Sequence, residues 1–404
     1  MNMLRIIIFS LLSIVLFSSC SKEIPADEQY VVMLSLDGFR WDYPDNIPTP
    51  NLDYIAGIGV KAKSLKPCFP TKTFPNHYSM ATGLYPDHHG IVLNSFYDED
   101  MDAYYRIKDR DAVENANFYD GEPIWVTAEK QGIISASYFW VGSEAPIKGK
   151  HPTYWKRYKH DYPFEARLDT VIAWLQLPEE IRPHLILWYM HEPDGVGHDH
   201  GPDGDITRST VIYLDSLVGV FLHKLEELPI TGQVNVIVTS DHGMGATSED
   251  RVVIIGDYVN QDWFEIIEGY SPNINVKVKE EFLDTAFYVL SQIPHVKAWK
   301  KGELPDRLHY GNHPRVMDII LLADSSWIIE WEEQDSYDKG AHGYDNANTD
   351  MHAIFYAMGP AFIENHSHPT FNNIDIYPII AHILELKSAK VDGKLDNVVG
   401  MLRK

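Results

Sequence analysis

The sequence predicts a doubly wound α/β fold, a mostly parallel sheet covered by helices on both faces. Two observations carry this expectation. Short apolar, β-branched runs that read as buried strands alternate with longer helical patterns. Three of those runs also lead into acidic residues, as strands do where an open α/β sheet binds its ligand beyond the carboxyl ends.

The first strand is Tyr30–Leu36, an unbroken apolar run with no polar face, as expected of a central parallel strand. Similar runs follow at 133–139, 184–189, 234–239 and 353–357. Helical patterns lie between or after them at 163–177, 207–228 and 374–386. A stretch from about 250 to 338 reads differently. Its short runs at 252–255, 274–278 and 316–322, with a helical pattern at 280–290, predict a small α+β insertion. There is no internal repeat and no low-complexity tract.

The N-terminus carries an export signal. Arg5 supplies the positive start, 6–17 the apolar run, and Ser18-Ser19-Cys20 the small-residue processing region. The apolar run is too short to span a bilayer comfortably. The signal is therefore expected to cover 1–19, with Cys20 resembling the lipidated first residue of a bacterial lipoprotein. Residues 20–28 then form a polar tether, and the catalytic domain spans 29–404. This places an exported protein at the cell envelope, anchored to a membrane through lipid on Cys20. Only one other cysteine, Cys68, is present, which excludes a disulfide framework and a thiolate zinc cluster. A formal net charge of -24 argues against a protein that grips long nucleic acid, whose phosphates it would repel. Small phosphorylated substrates remain compatible, because bound divalent metals reverse the local field. The sequence does not speak to oligomeric state.

Chemistry concentrates at the strand ends. Asp37 follows the first strand; Asp194, with His198 one turn later, follows the third; Asp241-His242 follow the fourth. An acid after a strand is by itself commonly a cap or turn residue. Capping explains no histidine, however, and core packing explains no cluster of acids. Mixed Asp/His donors suit zinc, with other divalent metals possible. The segment Pro70-Thr71-Lys72-Thr73-Phe74-Pro75-Asn76-His77 adds a hydroxyl at the start of a helix expected over 76–82. Backbone N–H groups and the helix dipole favour an anion there.

These blocks, with Leu36-Asp37-Gly38-Phe39-Arg40, Glu192-Pro193-Asp194, Gly197-His198, Ser240-Asp241-His242-Gly243 and His342-Gly343-Tyr344-Asp345-Asn346, resemble the nucleotide pyrophosphatase/phosphodiesterases of the alkaline phosphatase superfamily. They occur in the family's order, from about residue 29 to the C-terminus. The resemblance implies an alkaline phosphatase-like fold, hydrolysis of nucleotide phosphodiester or pyrophosphate bonds, and a covalent intermediate on Thr73. It implies two Zn2+ per chain: one held by Asp37, Asp241 and His242 beside Thr73, the other by Asp194, His198 and His342. It further implies that Asn94 steadies a phosphate oxygen and that Phe74 and Tyr158 sandwich the base, with Trp140 lining the pocket. Glu144 stands where the family often has aspartate. His77, His88, His89, His191 and His200 are read as structural or supporting. The substrate is expected to be a small nucleotide, the alternatives being a phospholipid-headgroup diester or a phosphomonoester on the same fold. A sulfatase is excluded, since Cys68 lies too far upstream of Thr82-Gly83 to be its nucleophile.

Overall fold

The computed structural model describes residues 29–403. The export signal and Cys20 therefore lie outside the described residues. Among those described, no helix is long and apolar enough to cross a membrane.

Eight strands form the main sheet: β1 (Tyr30–Leu36), β2 (Val60–Ala62), β3 (Ser135–Tyr138), β4 (Tyr154–Lys156), β5 (Leu185–Met190), β6 (Val234–Thr239), β7 (Phe355–Met358) and β8 (His366–His368). Their order is β8-β2-β7-β6-β1-β5-β3-β4. The central neighbours run parallel, Val31 beside Leu185 and Val32 beside Val236, whereas β7 is antiparallel to both β6 and β2. All seven residues of β1 are buried, which is why its sequence shows no alternation.

The two faces of the sheet are closed by different helices. On one side Val31, Met33 and Ile237 pack with residues of the helices Thr73–Thr82, Ile124–Lys130 and Ile376–Ile383. On the other, Val32, Leu34 and Val236 pack with Pro50–Ile58, Phe164–Leu175 and the long helix Asp205–Glu226. Successive residues of β1 thus enter opposite cores, the doubly wound arrangement. A smaller four-stranded antiparallel sheet, built from Phe264–Tyr270, Asn273–Val278, Val296–Lys300 and Ile319–Ala323, has its own core with helix Leu283–Leu290. It matters to the site because its first hairpin brings Tyr270 to the edge of the main sheet.

Candidate active site

Because β6, β1 and β5 are adjacent and parallel, Asp241, Asp37 and Asp194 emerge at the same end of the sheet. Gly38 lets the Asp37 and Asp194 loops meet. It sits at φ +70, and a Cβ there would come within 2.9 Å of the Asp194 Cα. Thr73 opens the helix Thr73–Thr82 directly opposite. His342 arrives on the segment after Gly340–Ala341, where Gly343, at φ +118, lies so close to Lys72 that a Cβ would meet its Cε at 2.5 Å.

The donors form two overlapping groups able to hold a metal ion: Asp194, His198 and His342, and Asp37, Asp194 and His242. Each histidine is oriented the same way. The Nδ1–H groups of His198, His242 and His342 donate to the carbonyls of Gly340, Gly243 and Thr71, each at 2.8 Å. That fixes the tautomer and leaves each Nε2 lone pair facing the cluster, the usual support for a metal-binding imidazole. Around His242 Nε2 stand Asp241 Oδ2 at 3.1 Å, Thr73 Oγ1 at 3.2 Å and Asp37 Oδ1 at 3.4 Å. Asp194 Oδ1 lies 3.5 Å from both His198 Nε2 and His342 Nε2.

The carboxylates give an independent test of fit. Asp37 Oδ1, Asp194 Oδ1 and Asp241 Oδ2 are buried and accept no hydrogen bond from any described residue. Leaving such oxygens unpaired is costly unless a cation meets them. The crowding also distorts their acidities. Burial, followed by the Asp241 and Asp194 charges, pushes the Asp37 carboxyl well above its ordinary range. Burial would push Asp241 the same way, but His242 and His77 outweigh it and hold Asp241 well below. Burial, with His242, Lys72 and His198 nearby, lowers His342. Acids, orphaned oxygens and Nε2 atoms converging on common points suit divalent metal.

The two threonines Thr71 and Thr73 are separated by their surroundings. The Thr71 hydroxyl accepts from Gly343 N at 2.8 Å and donates to Tyr344 O at 3.0 Å, so it is fully engaged and fully buried. Among the described residues, Thr73 Oγ1 is tied only to His242, and it lines the cavity. Asn94 accepts from Phe74 N–H at 2.9 Å and donates through Nδ2 to the Tyr270 hydroxyl at 2.8 Å. The first bond turns the amide so that its NH2, with one hydrogen left over, faces the site.

Beyond the metal-capable groups the cavity extends to about 540 Å³, within the usual size for a small-molecule pocket. Phe74, Ile107, Lys108, Arg110, Phe139, Glu144 and Tyr158 line its distal part.

Comparison with known proteins gives a consistent result. The family model for type I phosphodiesterase / nucleotide pyrophosphatase matches residues 31–345. The chain belongs to this family. It is 34% identical over 399 residues to human ectonucleotide pyrophosphatase/phosphodiesterase family member 5, covering 98% of this chain and 83% of that one. It is 37% identical over 390 residues to venom phosphodiesterase 2 of Crotalus adamanteus, of whose length it spans 48%. The solved murine family member 5, an inactive threonine-to-alanine variant in complex with AMP, superposes with a TM-score of 0.89. Sequence identity there is 35%, over 93% of this chain and 100% of that chain.

Within this family member, every site residue expected from the sequence falls at one end of the main sheet. Among the three aromatic residues expected in the pocket, Phe74 and Tyr158 are half-buried and Trp140 is buried. It borders the cavity, but its ring is 1% exposed, stands edge-on to His77 and donates from Nε1 to the His77 carbonyl at 3.0 Å. The indole is wall rather than a stacking face. His77 itself is a bridge: its Nδ1–H donates to Thr73 O at 3.0 Å and lies 3.3 Å from Asp241 Oδ2. Cys68 is buried, contacts Asn373 and has its thiol pushed up to about 12 by burial, which makes it inert.

Sequence reasoning missed four contributors. Tyr189 donates to Asp37 Oδ2 at 2.6 Å, leaving Oδ1 for the cluster. Tyr270 reaches Asn94 from the smaller sheet. Lys72 is buried under the Tyr270 ring and donates to Ser271 O at 2.8 Å. Arg110 crosses the distal pocket to Glu144.

Proposed function

We propose that this chain is a zinc-dependent phosphodiesterase that cleaves nucleotide diesters or pyrophosphates and releases a nucleoside monophosphate. The observation carrying this is the placement of the Thr73 hydroxyl, at a helix start, beside two overlapping Asp/His groups and in a pocket lined by Phe74 and Tyr158. Asp37 and His242, with Asp241 Oδ2 3.1 Å from His242 Nε2, would hold one metal beside Thr73, and Asp194, His198 and His342 would hold the second. Bound there, the metals supply Lewis acidity, lowering the hydroxyl's pKa and neutralising charge on the phosphoryl group.

The rest falls to the chain itself. Thr73 Oγ1 gives up its proton to solvent and forms a bond to phosphorus as the bond to the leaving oxygen breaks in line, the electron pair departing with that oxygen, giving a phosphothreonine. Water then loses a proton to solvent and bonds to phosphorus from the side the leaving group vacated, the bond to Oγ1 breaks, and Oγ1 takes a proton back from solvent. The free hydrogen of Asn94 Nδ2 donates to a phosphoryl oxygen, an orientation set by Phe74 N–H and Tyr270. His77 Nδ1–H holds the Thr73 carbonyl and so fixes the backbone that carries the nucleophile.

Nucleotide preference is supported by the complex of the murine relative with AMP and by two aromatic walls in one cavity. Phe74 leans edge-on against Tyr105, and Tyr158 leans edge-on against Phe139. Base–aromatic stacking contributes roughly 1–3 kcal/mol, so Tyr158→Ala should lower kcat/KM ten- to a hundredfold on the nitrophenyl ester of thymidine monophosphate. A simple bis-nitrophenyl phosphate offers no base, and its loss should be far smaller. Equal losses on both would make Tyr158 a structural residue. Better turnover of nitrophenyl phosphorylcholine than of the nucleotide ester would assign the enzyme to lipid headgroups instead.

The export signal and Cys20 support a lipid-anchored protein at the cell envelope. In cells making Cys20→Ser, the protein should leave the membrane fraction or accumulate unprocessed. Unchanged membrane fractionation would remove the anchor from this reading.

A further inference from the structure

The Tyr158 ring packs against Phe139 and Tyr189, and its hydroxyl lies 3.0 Å from His160 Nδ1, but its backbone lies outside the sheet. The edge strand β4 ends at Lys156, and Arg157, Tyr158 and Lys159 belong to no strand or helix, so no sheet ladder fixes the backbone that carries the ring. Its backbone N–H instead donates to Glu144 Oε2 at 3.0 Å. Glu144 is 6% exposed, and Arg110 donates to the same oxygen from across the pocket. A second pair crosses the same gap in the opposite sense: Arg157 Nε lies 2.6 Å from Glu114 Oε1, while Arg110 lies 3.8 Å from that oxygen. Each side of the gap thus contributes one arginine and one glutamate. The near side is the turn 110–114, and the far side is the segment 144–158.

We infer that this crossed Arg110–Glu144 and Arg157–Glu114 clamp positions Tyr158, and through it determines how well the enzyme discriminates nucleotides from simple phosphodiesters. The inference rests on the reading of Tyr158 as a base-stacking residue. The inner pair carries most of the effect. Its glutamate is buried, so losing Arg110 leaves a charge with one remaining amide partner and releases the Tyr158 backbone with it. The outer pair is more exposed, with Arg157 at 60% side-chain exposure, and contributes less. Arg110 also lines the cavity, so a direct contact with the substrate is the competing explanation. The two differ in one respect: a positioning role requires the Tyr158 ring, and a direct contact does not.

The test is a double-mutant cycle on the full enzyme, with steady-state kinetics on nitrophenyl thymidine monophosphate and bis-nitrophenyl phosphate. Arg110→Met should lower the ratio of the two kcat/KM values about tenfold, mostly through KM for the nucleotide ester. Arg110→Lys, which keeps the charge, should recover most of that ratio. In a Tyr158→Ala background, Arg110→Met should change the ratio little further, because the ring it positions is gone. Glu144→Gln, which keeps an acceptor for the Tyr158 amide, should fall between wild type and Arg110→Met. If Arg110→Met lowered the ratio as much without Tyr158 as with it, Arg110 would contact substrate and the clamp would be refuted. If Tyr158→Ala lowered the ratio and Arg110→Met did not, the clamp alone would fail. If Tyr158→Ala left the ratio unchanged, the base-stacking reading would fail, and the clamp's role with it.

Discussion

Thr73→Ala should reduce turnover about a thousandfold or more while leaving the fold, metal content and nucleotide binding nearly intact. Removing a covalent nucleophile leaves only the catalysis supplied by binding and electrostatics, and losses of about that size or larger follow. The structural cost is small, because among the described residues Thr73 Oγ1 has a single side-chain partner, His242 at 3.2 Å, and borders a cavity rather than a packed core. Acid-quenched wild type should carry phosphate on Thr73 by peptide mass mapping, and the variant should carry none. Thr71→Ala is the informative comparison. Its hydroxyl joins Gly343 N to Tyr344 O, so its loss should weaken the segment bearing His342 and lower stability without removing the covalent intermediate. Phosphate trapped on Thr71, or wild-type turnover by Thr73→Ala, would overturn the assignment.

The sequence was most legible where one physical signal dominated. The runs at 30–36, 133–139, 184–189, 234–239 and 353–357 all overlap strands of the main sheet, because both faces are buried and an unbroken apolar run results. The three strands it did not show, β2, β4 and β8, have three residues each and lie toward the sheet's margins. Such segments are too short to show a period. The helix Pro50–Ile58 was missed for a related reason: its apolar positions cover one narrow stripe, with Leu52 and Ile55 its buried residues. The nucleophile helix starts three residues earlier than expected, at Thr73 rather than 76, since Pro75 sits within its first turn, where a proline is tolerated.

Site residues divide along the same line. Asp37, Asp194, Asp241 and His242 stand at strand ends, and a parallel sheet brings such ends together whatever lies between them in sequence. His342 and Asn94 come from loops, and only the family resemblance located them. Tyr189 could not be singled out at all. It is one more aromatic in an apolar strand, and nothing short of the fold shows that its hydroxyl meets Asp37. Tyr270 contacts Asn94 across 176 positions of sequence, from a different sheet, and no local pattern encodes such a contact.

Removing the metals should abolish activity and also loosen the protein, and the two readouts together test the donor set. Dialysis against a strong chelator should eliminate turnover, and added Zn2+ should restore it, with about two equivalents per chain by elemental analysis. The stability effect follows from the orphaned oxygens. Without cations, Asp37, Asp194 and Asp241 face one another in a buried site with no hydrogen bonds to Asp37 Oδ1, Asp194 Oδ1 or Asp241 Oδ2 from any described residue. A ligand present at a hundred times its dissociation constant stabilises the folded state by about 2.7 kcal/mol per site, so the metal-free enzyme should melt several degrees lower. Single substitutions should separate the two positions. His342→Ala should cost about one metal equivalent while sparing the group around His242, and His242→Ala should do the converse; each should lose activity by a larger factor than metal content. Asp194 lies within reach of both groups, so Asp194→Asn should weaken both metals. Full activity in metal-free protein, or an unchanged melting temperature after chelation, would show that these residues do not form a metal centre.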